Sequence, residues 1–245
     1  MSKIYKALER AEAERTTDTE AVLRAPVDVE DEHLLDLPGR REEFDRLKVM
    51  LTLEAKRSEL RSVMLVSALP GEGVTTVTLG LGVTVAEVAR QGVLVVDLDG
   101  DNPELADHLG AHPRHGIGEV LSKEVAARDA IVETRVPRLF LLGWGHRPID
   151  MSQPDTLSLL EEMLRDLRSQ FDFIVVDGGA LRTLPDSLLV SSRVDGVVLV
   201  VQAERTAADA VREASADLRA AGARVLGAVL NRRREYLPRF LSRRF

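Results

Sequence analysis

Short apolar runs rich in β-branched residues recur along the chain, and stretches with helical spacing separate them. The runs are SVMLVS (62–67), VLVVD (93–97), LFLLG (139–143), FIVVD (173–177), GVVLVV (196–201) and VLGAVL (225–230). Helices are predicted near 75–90, 103–109, 116–133, 155–170, 184–192 and 206–221. Continuous apolar runs, unlike alternating ones, indicate strands that are covered on both faces. The pattern therefore predicts an α/β fold, a doubly wound and mostly parallel sheet with helices on both faces.

The two ends of the chain differ from this central region. Residues 1–40 begin with one short helical pattern and continue as an acidic stretch without periodicity, which predicts a mobile N-terminal arm. An amphipathic helix, REEFDRLKVMLTLEAKR, then opens a domain that spans residues 41–230. Residues 231–245 form an arginine-rich C-terminal tail that contains Tyr236.

Composition narrows the class of protein. A chain of 245 residues is long enough for one large domain with a buried core and additional segments. The net charge of −7 argues against general nucleic-acid binding, which needs a basic face. The absence of cysteine excludes a disulfide framework and a thiolate nucleophile. No membrane-spanning run and no signal peptide are recognised, so we expect a cytoplasmic protein.

The stretch SALPGEGVTT, which follows the first predicted strand, resembles a phosphate-binding loop. Gly71 and Gly73 allow a close backbone approach, and the following helix N-terminus favours negative charge. Thr75 is placed to offer a hydroxyl to Mg²⁺, but the lysine of the pattern G-x-x-x-x-G-K-[ST] falls at Val74. A purely structural glycine-rich turn is the alternative. The candidate nucleotide-binding residues are Ala68, Leu69, Pro70, Gly71, Glu72, Gly73, Val74, Thr75 and Thr76.

Carboxylates follow two other predicted strands at the same edge of the sheet. Asp97 and Asp99 come from VVDLDGDNP, and Asp177 comes from FDFIVVDGGA. We predict that these three are the catalytic candidates, with Thr75, Asp97 and Asp177 around Mg²⁺. Any single aspartate at a strand end could instead only initiate a turn. Asn231, after the last strand, either hydrogen-bonds an adenine base or simply closes the strand.

These motifs together resemble the bacterial tyrosine kinases (BY-kinases), over about residues 41 to 245. SALPGEGVTT is similar to the loop S-x-x-P-G-E-G-K-T-T, VVDLDGDNP to D-x-D-x-R-x-P, and FDFIVVDGGA to a strand ending in D-T-P-P. The resemblance implies a P-loop NTPase domain of the deviant Walker, MinD-like type that uses ATP or ADP and Mg²⁺. It also implies a role in exopolysaccharide or capsule biosynthesis and export. The implied partner is a membrane polysaccharide co-polymerase, at the inner face of the plasma membrane.

The departures from these motifs all point the same way, toward a weakened catalytic site. Val74 replaces the lysine, Asp101 replaces an arginine, and Gly178 replaces a hydroxyl residue before the lost proline pair. Phosphoryl transfer depends on charge neutralisation, so a lost charge-assisted contact costs roughly two or more orders of magnitude in rate. Arg182 and Arg205 are conceivable replacements for the lost charge. These departures favour a degenerate, regulatory pseudokinase.

Two other functions and several partners stay open. An active autokinase would phosphorylate Tyr236, the lone tyrosine of the tail. A ParA/MinD-like positioning ATPase would carry a second lysine early in the loop, where this chain has Ala68 and Leu69. The family assembles rings through a helix motif E-x-x-R-x-x-R, aligned here with Glu42, Asp45 and Lys48. Self-association and a kinase paralogue are therefore candidate partnerships. The basic tail either binds an anionic membrane surface or packs on the domain.

Overall fold

The structure is a computed structural model that describes residues 26–27 and 41–232. Its strands are β1 (Pro26–Val27), β2 (Ser62–Ser67), β3 (Val93–Asp97), β4 (Val132–Glu133), β5 (Leu139–Leu142), β6 (Phe173–Ala180), β7 (Gly196–Gln202) and β8 (Val225–Asn231). Its helices are α1 (Arg41–Ser58), α2 (Val74–Ala86), α3 (Leu105–Leu109), α4 (Ile117–Leu121), α5 (Ala127–Ala130), α6 (Pro154–Leu167), α7 (Asp186–Ser191) and α8 (Ala208–Ala220).

The strands form one sheet in the order β1-β8-β7-β2-β6-β3-β5-β4. Every neighbouring pair is parallel except β4 and β5, which are antiparallel. In the β3–β6 pair, Asp97 lies opposite Asp177. Because parallel strands end on the same side, the ends of β2, β3, β6, β7 and β8 form a single edge of the sheet.

Side chains of successive strand residues enter two separate apolar cores. Val63 and Leu65 of β2 join the core under α1 and α2, whereas Met64 and Val66 join the core under α6 and α8. This alternation explains why the runs are continuously apolar, since both faces of each strand are buried. The predicted doubly wound, mostly parallel α/β sheet is confirmed.

The structure corrects the predicted helix at 116–133. Lys123 has a left-handed φ of 62° and ends the first helical segment, and Ala126 is extended before α5. The segment is therefore divided into α4, α5 and the edge strand β4. Strand β6 also continues to Ala180, beyond the predicted end at residue 177.

Part of the predicted N-terminal arm joins the sheet. Pro26 and Val27 pair in parallel with Leu230 and Asn231 at the end of β8. The predicted N-terminal helix and Tyr236 with its basic tail lie outside the described residues. Within residues 41–232, no helix is long and apolar enough to cross a membrane.

Candidate nucleotide-binding site

The loop between β2 and α2 has the backbone that close approach to an anion requires. Gly71 and Gly73 have φ values of 78° and 92°, a left-handed conformation that favours glycine. Gly73 caps α2 without any side-chain hydrogen bond to the helix. The first amide groups of this 13-residue helix therefore have no side-chain acceptor, and helix N-termini of this kind attract phosphate.

Glu72 ties the loop to the end of β7. Its Oε2 accepts the Leu69 N–H at 2.8 Å, and its Oε1 accepts the Gln202 N–H at 3.2 Å and the Thr206 hydroxyl. The side chain is buried, so these bonds replace the water that the carboxylate would otherwise bind. The loop is therefore held in shape by the chain itself.

Asn231 holds the loop from behind. It is fully buried, and its Nδ2 donates to the Glu72 carbonyl at 2.8 Å. Its Oδ1 accepts the Arg232 N–H at 2.8 Å, and a Cβ on Gly73 would collide with the amide. Both ends of this side chain thus contact the protein, while the adenine contact stays a prediction.

Val74 is the first residue of α2 and is almost fully buried, with 6% of its surface exposed. It belongs to the apolar core under α1 and α2, and it also contributes to the wall of the site. An apolar side chain at this point supplies neither a charge nor a hydrogen bond to a phosphate.

A cleft of about 300 Å³ lies in front of the loop. Residues 70–76 form one wall, and the opposite wall includes Asp99, Asp101 and Glu104. The side chains of Ala68 and Leu69, also predicted to contact nucleotide, pack against the core under α6 and α8, and that contact stays a prediction. A larger groove of about 450 Å³ lies at the other end of α2, beside Arg41 and Arg138, away from the loop and the aspartates.

Asp97 and Asp177 lie side by side behind this cleft, and each is only 1% exposed. Asp97 accepts the N–H groups of Asp99 (3.1 Å) and Leu105 (3.3 Å). Asp177 Oδ1 accepts the Gly179 N–H at 3.2 Å, whereas its Oδ2 has no hydrogen-bond partner. A buried carboxylate oxygen without a protein partner is unusual, and it is available to contact a ligand.

Burial raises the pKa of all three predicted aspartates. Burial, reinforced by the neighbouring charge of Asp177, raises the pKa of Asp97 to about 8. The pKa of Asp177 rises to about 7 for the same reason, although the Thr75 hydroxyl lowers it in part. Burial also raises the pKa of Asp99. The site therefore brings together acidic groups whose charged forms burial disfavours, and a bound cation would favour those charged forms.

The residues present fit a magnesium ion bound together with a phosphate. The partnerless Oδ2 of Asp177, the Thr75 hydroxyl and Asp97 provide oxygen atoms, which Mg²⁺ prefers. No group of three or more acidic, histidine or cysteine side chains within the described residues could hold a metal alone. Magnesium commonly keeps several waters and takes phosphate oxygens, so a few protein ligands are sufficient.

The glycines after Asp177 are required by close packing. A Cβ on Gly178 would collide with Met64 and Val66 of β2, so the hydroxyl residue of the related motif has no room here. Gly179 has a φ of 61°, and a Cβ there would contact the Asp99 carboxylate at 2.7 Å. These glycines let the end of β6 pack against β2 and against Asp99.

Neither of the arginines proposed as replacements for the lost charge lines the cleft. Arg205 donates instead to the Gln202 side chain at 3.3 Å. Arg232 does line it, and its Nη1 donates to the Gly71 carbonyl at 2.9 Å. Sequence reasoning assigned this residue to the tail. Its position directly after the last strand, at the same edge as the loop, was the available signal.

The chain is similar to several characterised proteins, although no family model matches it. It is 26% identical over 212 residues to the tyrosine-protein kinase CpsD of Streptococcus agalactiae, covering 84% of this chain and 89% of CpsD. It is 23% identical over 190 residues to the tyrosine-protein kinase YwqD of Bacillus subtilis, covering 78% and 80%. It is 27% identical over 194 residues to the succinoglycan biosynthesis transport protein ExoP of Rhizobium meliloti, of which it spans only 25% while 78% of this chain is matched.

Solved structures give a consistent result. The chimerical protein CapA2B2 superposes with a TM-score of 0.77 at 23% identity, covering 94% of this chain and 99% of that one. The VpsO kinase domain gives 0.65 at 30% identity, covering 76% and 91%. The septum site-determining protein MinD of Pyrococcus horikoshii, complexed with Mg-ADP, gives 0.58 at 26% identity, covering 75% and 76%.

Proposed function

This chain belongs to the bacterial tyrosine kinase family of P-loop ATPase domains, and we propose that it binds nucleotide but is a degenerate, regulatory member of that family. The relatives support a role as a component of exopolysaccharide or capsule biosynthesis. In this proposal, Mg-ADP or Mg-ATP binding changes how the chain engages its partner, and tyrosine phosphorylation is weak or absent.

The observation that carries the proposal is the burial of Val74 at the lysine position. Valine carries no ammonium group, and its side chain packs into the core under α1 and α2, so this residue offers no charge to the phosphates. Losing such a contact in a water-poor site costs several kcal/mol of transition-state stabilisation, on the order of a hundredfold or more in rate.

The rest of the site supports retained binding. The amide groups of residues 71–76 would hold the phosphates, and Thr75, Asp97 and Asp177 would hold Mg²⁺. A bound magnesium ion supplies charge neutralisation. Asp99 opens onto the cleft, and the raised pKa of its carboxylate suits it to accept a proton from a hydroxyl group. The similarity to MinD, which is complexed with Mg-ADP, supports the same reading.

We further propose that the partner is a membrane polysaccharide co-polymerase, engaged from the cytoplasmic side. The support is the relative ExoP, a transport protein of which this chain matches only a quarter. The basic tail, residues 231–245, is the proposed contact with the membrane surface. Self-association through α1 is a separate proposal. There Asp45 and Lys48 form an ion pair (2.6 Å) within the helix instead of presenting the two arginines of the ring motif.

An active autokinase is the second candidate function, and a specific observation favours it. The Thr75 hydroxyl and the carboxyl groups of Asp97, Asp99 and Asp177 are all retained at one edge of the sheet, as a magnesium-dependent phosphoryl-transfer site would need. Tyr236 is its proposed acceptor. A ParA/MinD-like positioning ATPase has weaker support, because Ala68 and Leu69 occupy the neighbourhood of its early loop lysine.

The test incubates the purified full chain with Mg-ATP and measures phosphotyrosine by mass spectrometry, beside calorimetric titration with Mg-ADP. Binding of Mg-ADP without phosphate on Tyr236 or Tyr5 supports the regulatory proposal. Stoichiometric phosphorylation of either tyrosine would establish the autokinase instead. No binding of Mg-ADP would overturn the nucleotide-dependent role altogether.

A further inference from the structure

The cleft in front of the loop is strongly acidic apart from one guanidinium group. Its described walls carry Asp99, Asp101 and Glu104, and Arg232 is the one lysine or arginine among the described residues that line it. A nucleotide brings several negative charges into this same space, where acidic walls would repel it. The charge of Arg232 is therefore the main electrostatic attraction that this part of the chain offers to a phosphate, besides the helix N-terminus.

Arg232 is fixed at the mouth of the loop rather than extended into solvent. Its Nη1 donates to the Gly71 carbonyl at 2.9 Å, and its backbone N–H donates to Asn231 Oδ1 at 2.8 Å. Asn231 is itself buried and bonded to the Glu72 carbonyl. The backbone of Arg232 is left-handed, with a φ of 56°, and this turns the chain sharply at the end of β8.

We propose that Arg232 binds the phosphate groups of the nucleotide and supplies the positive charge that Val74 lacks. This assignment rests on the proposed nucleotide binding and names the residue that recognises the ligand. A guanidinium carries five N–H donors, and the Gly71 contact uses one of them. Guanidinium groups bind phosphate oxygens in a bidentate manner, so the same side chain can contact the loop and the ligand.

The position of Arg232 also distinguishes its role from that of a loop lysine. It approaches from the end of β8, on the Gly71 side of the loop, whereas residue 74 starts at the first turn of α2. A charge delivered from that side attracts and holds phosphate. It does not restore the lysine at its own position in the transferring site, so Arg232 supports binding more than phosphoryl transfer.

The experiment compares the full-length wild-type chain with Arg232→Gln, Arg232→Lys and the control Arg205→Gln. Arg205 lies in a neighbouring exposed loop and does not line the cleft. Its substitution by glutamine makes the same change in net charge as Arg232→Gln, but away from the proposed phosphate contact. Calorimetric titrations with AMP, Mg-ADP and Mg-ATP measure the dissociation constants. Thermal unfolding of each variant, without nucleotide, shows whether the loop contact to Gly71 matters for stability.

The proposal predicts that Arg232→Gln weakens Mg-ADP and Mg-ATP binding by roughly 10-fold to 100-fold, and AMP binding much less. Arg232→Lys should lie between wild type and Arg232→Gln, and Arg205→Gln should stay within about twofold of wild type. The lysine variant keeps the positive charge but loses the guanidinium geometry. Its intermediate affinity for Mg-ADP therefore tests the proposal even if the glutamine variant proves unstable.

Equal affinity of wild type and Arg232→Gln for Mg-ADP would overturn this assignment and leave the proposed function intact. An equal loss for AMP and for Mg-ATP would also overturn it, because it would show that Arg232 only shapes the loop. If the wild-type chain itself binds no Mg-ADP, the proposed function fails and the assignment fails with it.

Discussion

Two groups of buried carboxylates lie in this domain, and they differ in how fully the surrounding protein satisfies their hydrogen bonds. Glu72 and Glu119 are buried with both oxygens engaged by N–H or O–H donors. Asp97 and Asp177 are equally buried, but they lie next to each other, and one Asp177 oxygen has no partner. The chain itself supplies hydrogen-bond donors to every carboxylate oxygen of the first group, but not to every oxygen of the second.

Glu119 illustrates the first group. Its Oε2 accepts the Gly116 N–H at 2.7 Å, and its Oε1 accepts the N–H groups of His146 and Arg147 at 2.9 and 3.0 Å. Burial alone would raise its pKa, but these backbone N–H groups outweigh burial and lower the pKa of Glu119. The carboxylate thus joins the start of α4 to the 143–147 loop and belongs to the scaffold.

The aspartates show the opposite result. Burial raises the pKa of Asp97 to about 8 and that of Asp177 to about 7, because backbone donors do not compensate for the lost water. Such an arrangement costs stability in the isolated chain and is expected where a cation binds. The comparison therefore separates the acids that build the fold from those that hold a ligand.

The largest expected effect comes from removing a scaffold acid. Glu119→Ala leaves three backbone N–H groups without their acceptor, so we expect a loss of about 3–5 kcal/mol in the free energy of unfolding at pH 7. Urea unfolding measures it. Glu124→Gln, which alters an exposed ion pair with Arg147, is the matched control and should change stability by less than about 1 kcal/mol. A loss of stability in Glu119→Ala as small as that of the control would contradict the proposed difference between the acids that stabilise the fold and those that hold a ligand.

A substitution in the second group should have the opposite sign at high pH. The pKa of Asp97 is raised from 3.8 to about 8, so the folded chain holds a proton that the unfolded chain releases between these values. Stability from this group is therefore present at low pH and lost as pH rises through about 8.

Asp97→Asn removes that loss. In EDTA at pH 9 we expect it to be more stable than wild type by on the order of 2 kcal/mol, and the difference should be smaller at pH 5, where less of the loss has developed. Thermal unfolding across this pH range measures the difference, with the exposed Asp155→Asn as control. A variant that is destabilised at pH 9 would show that Asp97 belongs with Glu119.

A positive charge restored at position 74 should strengthen nucleotide binding. Val74→Lys should tighten Mg-ADP and Mg-ATP by about tenfold, since an ammonium group would then face the phosphates. Val88→Lys adds the same charge at an exposed position just after the C-terminal end of α2. It should leave the nucleotide affinity within about twofold of the wild-type value. Equal effects of both lysines would indicate a general charge effect and no specific phosphate site.

Much of the fold could be predicted from the sequence because both faces of the strands are buried. The six apolar runs all became strands, since continuous apolar residues of this length have few alternatives in an α/β protein. The break at Lys123 could not be predicted, because a lysine with a left-handed φ gives no local signal. Strand β4 was missed because two residues are too few for a pattern.

The site was only partly predictable for a related reason. Asp97 and Asp177 were placed together correctly, because strand order brings the ends of neighbouring parallel strands to one edge. The roles of Glu72, Asn231 and Arg232 depend on contacts with residues more than a hundred positions away, such as Gln202 and Gly71. Spacing along the chain does not reveal those contacts, although the position of Arg232 directly after the last strand indicated that it lies at the same edge as the loop.

The most direct test of the account is a calorimetric titration of the wild-type chain with ADP in Mg²⁺ and again in EDTA, repeated with Asp177→Asn. We expect Mg²⁺ to strengthen ADP binding in wild type by about tenfold or more, and most of this gain to disappear in Asp177→Asn. Equal ADP binding with and without Mg²⁺ would contradict it, because the buried aspartates would then have no cation to complete them.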